Sequence, residues 1–104
     1  MDDKTYQLRY LPLFYQDMAE VVDYISNELQ NPDAALKLIE STEQAILKRL
    51  ENPLSFQPIR SKRERKHPYY RINVNNYAVF YVVIDDVMEV RRFLYSRRDI
   101  HSII

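Results

Sequence analysis

The segment Tyr69–Ser96, "YYRINVNNYAVFYVVIDDVMEVRRFLYS", decides the fold of this chain. It holds three runs rich in Val, Ile, Tyr and Phe, the residues that fit a pleated sheet surface. Two polar pairs, Asn75-Asn76 and Asp85-Asp86, separate these runs. The chain has no glycine, and Asn and Asp tolerate the positive φ of a two-residue hairpin turn better than other residues do. The segment therefore predicts three antiparallel strands: Tyr69–Val74, Tyr77–Ile84 and Val87–Ser96.

Ahead of these strands, apolar residues recur every three or four positions in two stretches, as they do in amphipathic helices. The first stretch begins at Pro12, which suits the first position of a helix, and reaches Leu29. The second begins with an N-cap and a proline at Asn31–Ala35 and must end before Pro53. A short alternating run, Thr5–Tyr10, precedes both and predicts a strand. The order β-α-α-β-β-β predicts an α+β domain with a helical hairpin packed on an antiparallel sheet.

The composition excludes several classes of protein. The length suits a single domain, which we expect to cover residues 1–104. Without cysteine there is no disulfide framework, and no apolar run approaches the roughly 20 residues that span a bilayer. The acidic N-terminus lacks the apolar region of a signal peptide, so we expect a cytoplasmic protein with no membrane partner. Phosphate-binding glycine loops, HExxH and Cys/His spacings are also missing, so we expect neither metal nor cofactor.

The formal net charge is zero, but the charge is unevenly distributed. Residues 1–51 carry five Lys/Arg against ten Asp/Glu, and residues 52–104 carry ten against five. Six of the later cations lie in Arg60–Arg71, "RSKRERKHPYYR". Such a basic half indicates nucleic acid or an acidic protein as partner. The alternative is a solvated surface loop between Asn52 and His67.

If both joints are two-residue turns, the strand register follows by counting. Arg71 then lies opposite Phe80, and Phe80 lies opposite Arg91. The same count places Phe93 on this face and Leu94 on the face that the helices cover. A sheet face that mixes arginines and tyrosines with apolar side chains is a candidate binding surface. The alternative is a solvated face, since an antiparallel sheet often exposes one face to water. Its cationic and polar members are Tyr69, Arg71, Asn73, Arg91, Tyr95 and Arg97.

The segment "YYRINVNNYAVFYVVIDDVMEVRRFLYSRRDI", Tyr69–Ile100, resembles the RelE/ParE superfamily of toxins from bacterial type II toxin–antitoxin modules. The pattern comprises a "YRI-V" strand, a tight turn, "Y-VFYVV", an acidic turn, a hydrophobic strand and "RRD". The first helix matches as well, through "QDM-EVVDYI", so the resemblance covers nearly the whole chain. It implies a toxin that arrests bacterial growth and is silenced by a cognate antitoxin, which binds through an acidic, amphipathic segment.

The resemblance implies two alternative targets. RelE-like toxins cleave mRNA on the ribosome, whereas ParE-like toxins bind and poison DNA gyrase. The "RRDI" ending is at least as typical of the ParE-like branch, which we slightly favour. In a ribonuclease, the resemblance would assign catalysis to Arg71, Arg98 and His101. Asn73, Ala78 and Ile104 replace residues that RelE-like members use, and whether this chain is an enzyme stays open.

Either branch implies a surface that holds nucleic acid or a protein target. A third alternative is a basic nucleic-acid-binding module without toxicity, whose affinity would fall steeply with salt. The alternative to a catalytic role is that His101 is only a residue of the tail, which either forms a last helical turn or hangs free. The candidate contact residues are Arg60, Lys62, Arg63, Arg65, Lys66, Arg91, Tyr95 and Arg97.

Overall fold

The computed structural model describes residues 4–60 and 66–104. It confirms the predicted α+β class and the order of the elements. Two helices pack on one face of a four-stranded sheet, and a short 3-10 turn ends the described chain. None of the described helices is both long and apolar enough to cross a membrane. The strands and helices are β1 Gln7–Tyr10, α1 Pro12–Asp23, α2 Pro32–Leu50, β2 Tyr70–Val74, β3 Tyr77–Ile84, β4 Val87–Tyr95 and the 3-10 turn Ile100–Ser102.

Helix α1 begins at Pro12 as predicted, but it ends in a π-helical turn, Tyr24–Glu28. The turn closes with the Leu29 N–H donating to the Tyr24 carbonyl at 3.1 Å. A π-helical turn inserts an extra residue and changes which side chains face the core. Leu29, predicted on the buried stripe, is therefore 55% exposed. Gln30 follows with a positive φ of 49° and leads the chain into α2.

Helix α2 starts where the sequence predicts. The Asn31 side chain accepts a hydrogen bond from the Ala34 N–H at 3.2 Å, which makes it the N-cap. Asp33 lies in the first turn and Lys48 in the last, each at the helix end whose dipole favours its charge. The buried face carries Ala35, Leu38, Thr42 and Ile46.

The sheet has the strand order β1-β4-β3-β2. Strands β2, β3 and β4 form the predicted antiparallel hairpins. Strand β1 runs parallel to β4, with Gln7 paired to Val87, so the sheet is mixed rather than wholly antiparallel. This pairing joins the first and last strands of the chain.

Both hairpin turns have two residues, as predicted: Val74 pairs with Tyr77, and Ile84 pairs with Val87. Asn75 and Asp85 take positive φ values of 54° and 55°. Asn and Asp are the non-glycine residues that adopt this conformation most readily, which explains how hairpins form in a chain without glycine.

The predicted β3–β4 register is wrong beyond the middle of the strands. Phe80 pairs with Arg92 rather than Arg91, because the ladder is irregular between Phe80 and Tyr81. One extra residue of β4 is accommodated there as a β-bulge, which shifts the alternation of the following side chains by one position. Phe93 accordingly joins the helix-covered core, while Leu94 packs on the opposite face.

An ion pair fixes α1 against this bulge. The Asp17 carboxylate accepts hydrogen bonds from the Arg92 side chain at 2.7 and 3.0 Å. It also accepts the backbone N–H of Phe93 at 3.0 Å. Asp17 is only 8% exposed, so the main core between helices and sheet is closed on this side by a charged contact.

Candidate functional site

The face of the sheet opposite the helices, here called the open face, carries a network centred on Glu89. The Glu89 carboxylate accepts hydrogen bonds from Arg9 on β1 and from Arg91 on β4, the latter at 2.8 Å. Arg91 also donates to the Tyr69 hydroxyl at 3.2 Å and lies over the Tyr69 ring at 5.6 Å. Two arginines thus share one carboxylate, and the network keeps a net positive charge.

The electrostatics of Glu89 follow from its surroundings. Burial on its own would raise the pKa of Glu89, since its side chain is only 7% exposed. The hydrogen bonds and charges of Arg9 and Arg91 outweigh burial and hold the pKa of Glu89 below its ordinary value. The carboxylate is therefore a fixed anion at neutral pH rather than a proton donor.

Arg71 lies on β2 at the far side of the open face. Its Nε donates to the Asn73 side chain at 2.7 Å, and its guanidinium lies 5.6 Å from the centre of the Phe80 ring. The predicted pairing of Arg71 with Phe80 is confirmed. Arginine is a strong hydrogen-bond donor but does not deprotonate at physiological pH, so Arg71 can hold an anion and cannot act as a base.

The C-terminal residues cover the apolar centre of the open face. Ile100 is 7% exposed and packs with Ala78, Phe80 and Leu94, which are fully or almost fully buried. Of the two alternatives for the tail, the final helical turn is the one that forms. The apolar centre is therefore a second small core. Partly buried residues complete it: Ile59, Tyr69, Ile103 and Ile104.

The three residues proposed for catalysis do not form one constellation. Arg98 and His101 are exposed beyond β4, whereas Arg71 is held on β2. In the part of the chain that the structure describes, no side-chain hydrogen bond or ion pair links any two of them. Within the described residues, Arg71 therefore has no hydrogen-bond link to the histidine that would serve as acid or base.

The proposed contact residues lie in different parts of the molecule. Arg91 belongs to the Glu89 network, while Tyr95 is 40% exposed and lies edge-on to Tyr77. Arg97 is exposed at the end of β4. In the basic loop between Asn52 and His67, Arg60 and Lys66 are exposed. Lys62, Arg63 and Arg65 lie outside the described residues.

Sequence reasoning missed two members of the open-face network. Glu89, an acid within the hydrophobic strand "VMEVRR", was a detectable signal, because a buried acid needs a cationic partner. Arg9 had no local signal, since it meets Glu89 only through strand pairing across 80 positions of sequence. Among the described residues, no group of three or more His, Asp or Glu side chains could hold a metal ion.

Comparison with known proteins agrees with this architecture. Residues 8–100 match the family model described as the ParE toxin of the type II toxin–antitoxin system parDE. No curated protein sequence matches significantly.

Three solved structures show the same fold. The chromosomal ParDE system from P. aeruginosa superposes with a TM-score of 0.67 at 14% identity, over 88% of this chain and 97% of that one. The archaeal RelE–RelB complex from Pyrococcus horikoshii OT3 gives 0.53 at 16%, over 90% and 98%. YafQ from E. coli BL21(DE3) gives 0.52 at 13%, over 86% and 92%. Because the family model spans most of the sequence, the chain belongs to the ParE toxin family of type II toxin–antitoxin systems, within the RelE/ParE superfamily that its sequence resembles.

Proposed function

We propose that this toxin arrests growth by binding and inhibiting DNA gyrase, and that it does not cleave RNA. The observation that carries the proposal is the geometry of the open face. Its cations are held by other side chains, Arg91 by Glu89 and Arg71 by Asn73. Its apolar centre is occupied by Ile100 of the same chain. Such a surface is preorganised to bind rather than to transfer protons.

Cleavage of RNA by its own 2′-hydroxyl needs a base, an acid and cations around one phosphorane. Arg71 supplies a cation, but among the described residues neither His101 nor Arg98, both exposed, forms a hydrogen bond with it. A lone exposed histidine without a hydrogen-bonded partner has no group to orient it for proton transfer. The RelE-like alternative therefore needs a rearrangement that brings His101 beside Arg71.

The residues that we propose to contact gyrase lie in two exposed parts of the molecule. One is the end of β4, with Tyr95, Arg97 and Arg98. The other is the basic loop, of which Arg60 and Lys66 are exposed. Exposed cations raise the rate of association with an acidic surface and contribute to its specificity.

A supercoiling assay tests the proposal. Purified toxin should inhibit the supercoiling of relaxed plasmid by gyrase and should leave mRNA intact on programmed ribosomes. Replacing both Arg97 and Arg98 by Ala should raise the half-inhibitory concentration by about tenfold or more, since truncating an interface arginine often costs 1–2 kcal/mol. Lys37→Ala, at an exposed site on α2, is the matched control and should not change it.

The RelE-like ribonuclease is the second candidate, favoured by the position of His101 directly after "RRDI" and by the fold shared with RelE and YafQ. Ribosome-dependent cleavage that is lost in both Arg98→Ala and His101→Ala would overturn the gyrase proposal. The third reading, a harmless nucleic-acid-binding module, fails if expression of the chain alone stops growth.

We further propose that a protein antitoxin neutralises this toxin in the cytoplasm, where gyrase and ribosomes work. The support is family membership together with the solved ParDE system and the RelE–RelB complex, each of which pairs a toxin with a second protein. Co-expression of the protein encoded beside the toxin gene should restore growth. Failure of every neighbouring product to do so contradicts this part of the proposal.

A further inference from the structure

The residues that we propose to contact gyrase are mainly exposed cations. Exposed charges raise the association rate and contribute to specificity. Most of the binding energy of a protein interface comes instead from a few large side chains at its centre, which become buried on binding. Two large apolar side chains are exposed within the basic loop itself: Leu54, at 49%, and Phe56, at 50%. They are candidates for the apolar centre that the cations need.

The part of the loop that carries these side chains is fixed at both ends. Pro53 is fully buried, and its carbonyl accepts a hydrogen bond from the Tyr81 hydroxyl at 2.8 Å. At the other end, Ile59 is partly buried in the second small core, and its N–H donates to the Tyr69 carbonyl at 2.8 Å. Between these two fixed points, residues 54–58 are all exposed. The loop is thus held in place although its middle part faces water.

Arg49, in the last turn of α2, orients the Phe56 ring. Its guanidinium lies 3.5 Å from the centre of the ring, in a cation–π contact. The same guanidinium donates to the Tyr81 hydroxyl at 3.0 Å and to the Arg71 carbonyl at 3.3 Å, so it is itself tied to β2 and β3. The ring therefore has a preset orientation, and a partner that covers it loses little conformational entropy on binding.

An open cavity of about 420 Å³ lies beside the Phe56 ring, between the end of α2, the loop and β2. Ala45 and Ile72 contribute apolar surface to its lining. Its charged lining residues are two cations and one acid: Lys48, Arg49 and Glu51. An apolar cavity with a net positive rim fits an apolar side chain that is flanked by acidic residues.

We propose that Leu54, Phe56 and this cavity form the apolar centre of the gyrase interface. An apolar side chain on an acidic surface of gyrase enters the cavity beside Phe56, and the acidic residues around it meet Lys48 and the cations of the basic loop. The partner is the gyrase protein rather than its DNA, because the phosphate backbone that dominates DNA binding offers little for Leu54 and Ile72 to contact. This inference rests on the proposed function, since it takes gyrase as the occupant.

Inhibition of supercoiling by purified toxin variants tests the interface with the gyrase holoenzyme. Phe56→Ala should raise the half-inhibitory concentration by about tenfold or more, as truncation of a central aromatic side chain commonly does. Leu36→Ala is the matched control and should leave it unchanged, because Leu36 is 56% exposed on α2 and does not line the cavity. Equal inhibition by the two variants would overturn the inference.

A second measurement separates lost contact from lost folding. The neighbouring gene product that restores growth should bind Phe56→Ala as tightly as it binds the native toxin, which shows that the variant is folded. Weaker binding of that product together with unchanged inhibition of gyrase would assign the cavity to the antitoxin and overturn the inference.

Photo-cross-linking identifies the occupant directly. A photoreactive phenylalanine analogue at position 56 keeps an aromatic ring beside Arg49 and does not depend on a loss of stability. Irradiation of toxin with gyrase and plasmid should attach this toxin to a gyrase subunit, whereas the same analogue at position 36 should not attach. Attachment from position 56 to DNA or to a second toxin molecule would overturn the inference, and so would the absence of attachment.

These results distinguish the inference from the function on which it rests. If the native toxin does not inhibit gyrase, both fail. If the native toxin inhibits gyrase, but Phe56→Ala inhibits equally and position 56 does not attach to a gyrase subunit, only the proposed apolar centre fails.

Discussion

The Asp17 side chain makes two kinds of contact with β4 at the β-bulge. Its carboxylate neutralises Arg92 and also accepts the Phe93 N–H, a backbone group next to the β-bulge. A bulge disrupts the strand ladder and leaves polar backbone groups that need another partner. The side chain of an α1 residue therefore stabilises an irregularity of β4, and it ties the helix to the sheet at the same time.

Asp17→Ala should lower the free energy of unfolding by about 3–5 kcal/mol, because Arg92 is left as a largely buried cation without a partner. Denaturant unfolding followed by circular dichroism measures the loss. Glu40→Ala, at an exposed position of α2, is the control and should change stability by less than about 0.5 kcal/mol. A loss as small as that of the control would mean that the Asp17 contacts contribute little.

Glu89 should make stability depend on pH in the acid range. Its pKa in the folded protein lies below the ordinary value of 4.5, so the unfolded chain binds more protons between the two values. The stabilising contribution is fully present above about pH 4.5 and is lost as the pH falls through the lower, folded-state pKa. Urea unfolding of the native protein and of Glu89→Gln across pH 2–7 measures this.

The Glu89→Gln variant should be less stable at pH 7 and should show a shallower loss on acidification, because the residue no longer titrates. Glu40→Gln serves as the exposed control and should keep the slope of the native protein. Identical pH profiles for Glu89→Gln and the native protein would show that Glu89 is not responsible.

At the scale of elements, the connection between the helices is the most unusual part of the fold. A π-helical turn, Tyr24–Glu28, ends with Gln30 in the left-handed region. The Asn31 N–H then donates to the Ile25 carbonyl at 3.0 Å, which closes the turn before α2 begins. Glycine is the usual residue at such a helix end, but this chain contains none.

Gln30→Gly should therefore raise the free energy of unfolding by about 0.5–1 kcal/mol. A left-handed conformation costs a residue with a Cβ about 1–2 kcal/mol, and the greater freedom of glycine in the unfolded chain offsets part of the gain. Thermal unfolding measures the change. Gln44→Gly, within the regular part of α2, is the control and should destabilise by about 1 kcal/mol. A destabilising effect at both positions would contradict the argument.

Local signals account for the elements that the sequence predicted. The hairpins were predictable from Asn75 and Asp85, and the start of α2 from Asn31, since each signal lies within a few residues of the feature that it determines. The bulge was not predictable, because it is stabilised by Asp17, 75 positions away from Arg92. The covered open face was missed for the same reason: Ile100 reaches Phe80 only after β4 is in place.

At the scale of the whole molecule, charge is divided between the two halves of the sequence, whereas the sheet combines strands from both halves. The acidic first half supplies both helices, and the basic second half supplies three strands and their loop. Strand β1 belongs to the first half of the sequence but pairs with β4 of the second half, at one edge of the sheet. The ion pair between Arg9 and Glu89 joins the same two strands, with a cation from the acidic half and an acid from the basic half.

The long separation between β1 and β4 should make their pairing a late step of folding, because closing a long loop costs entropy before contacts compensate it. Leu8→Ala should then accelerate unfolding and leave the refolding rate nearly unchanged. Val79→Ala, in the centre of the local β2–β3–β4 hairpins, is the comparison and should slow refolding. Stopped-flow kinetics in urea measures both rates, and a slower refolding of Leu8→Ala would show that β1 pairs early.

The parallel pairing of β1 with β4 also has a consequence for biosynthesis. Translation produces Gln7–Tyr10 first, but their partner Val87–Tyr95 is among the last parts of this sequence to leave the ribosome. Until then, the nascent polypeptide has a helical hairpin and a lone strand with both backbone edges unpaired. The first strand therefore stays unpaired until β4 has been synthesised, and any product that stops before β4 lacks the strand with which β1 pairs.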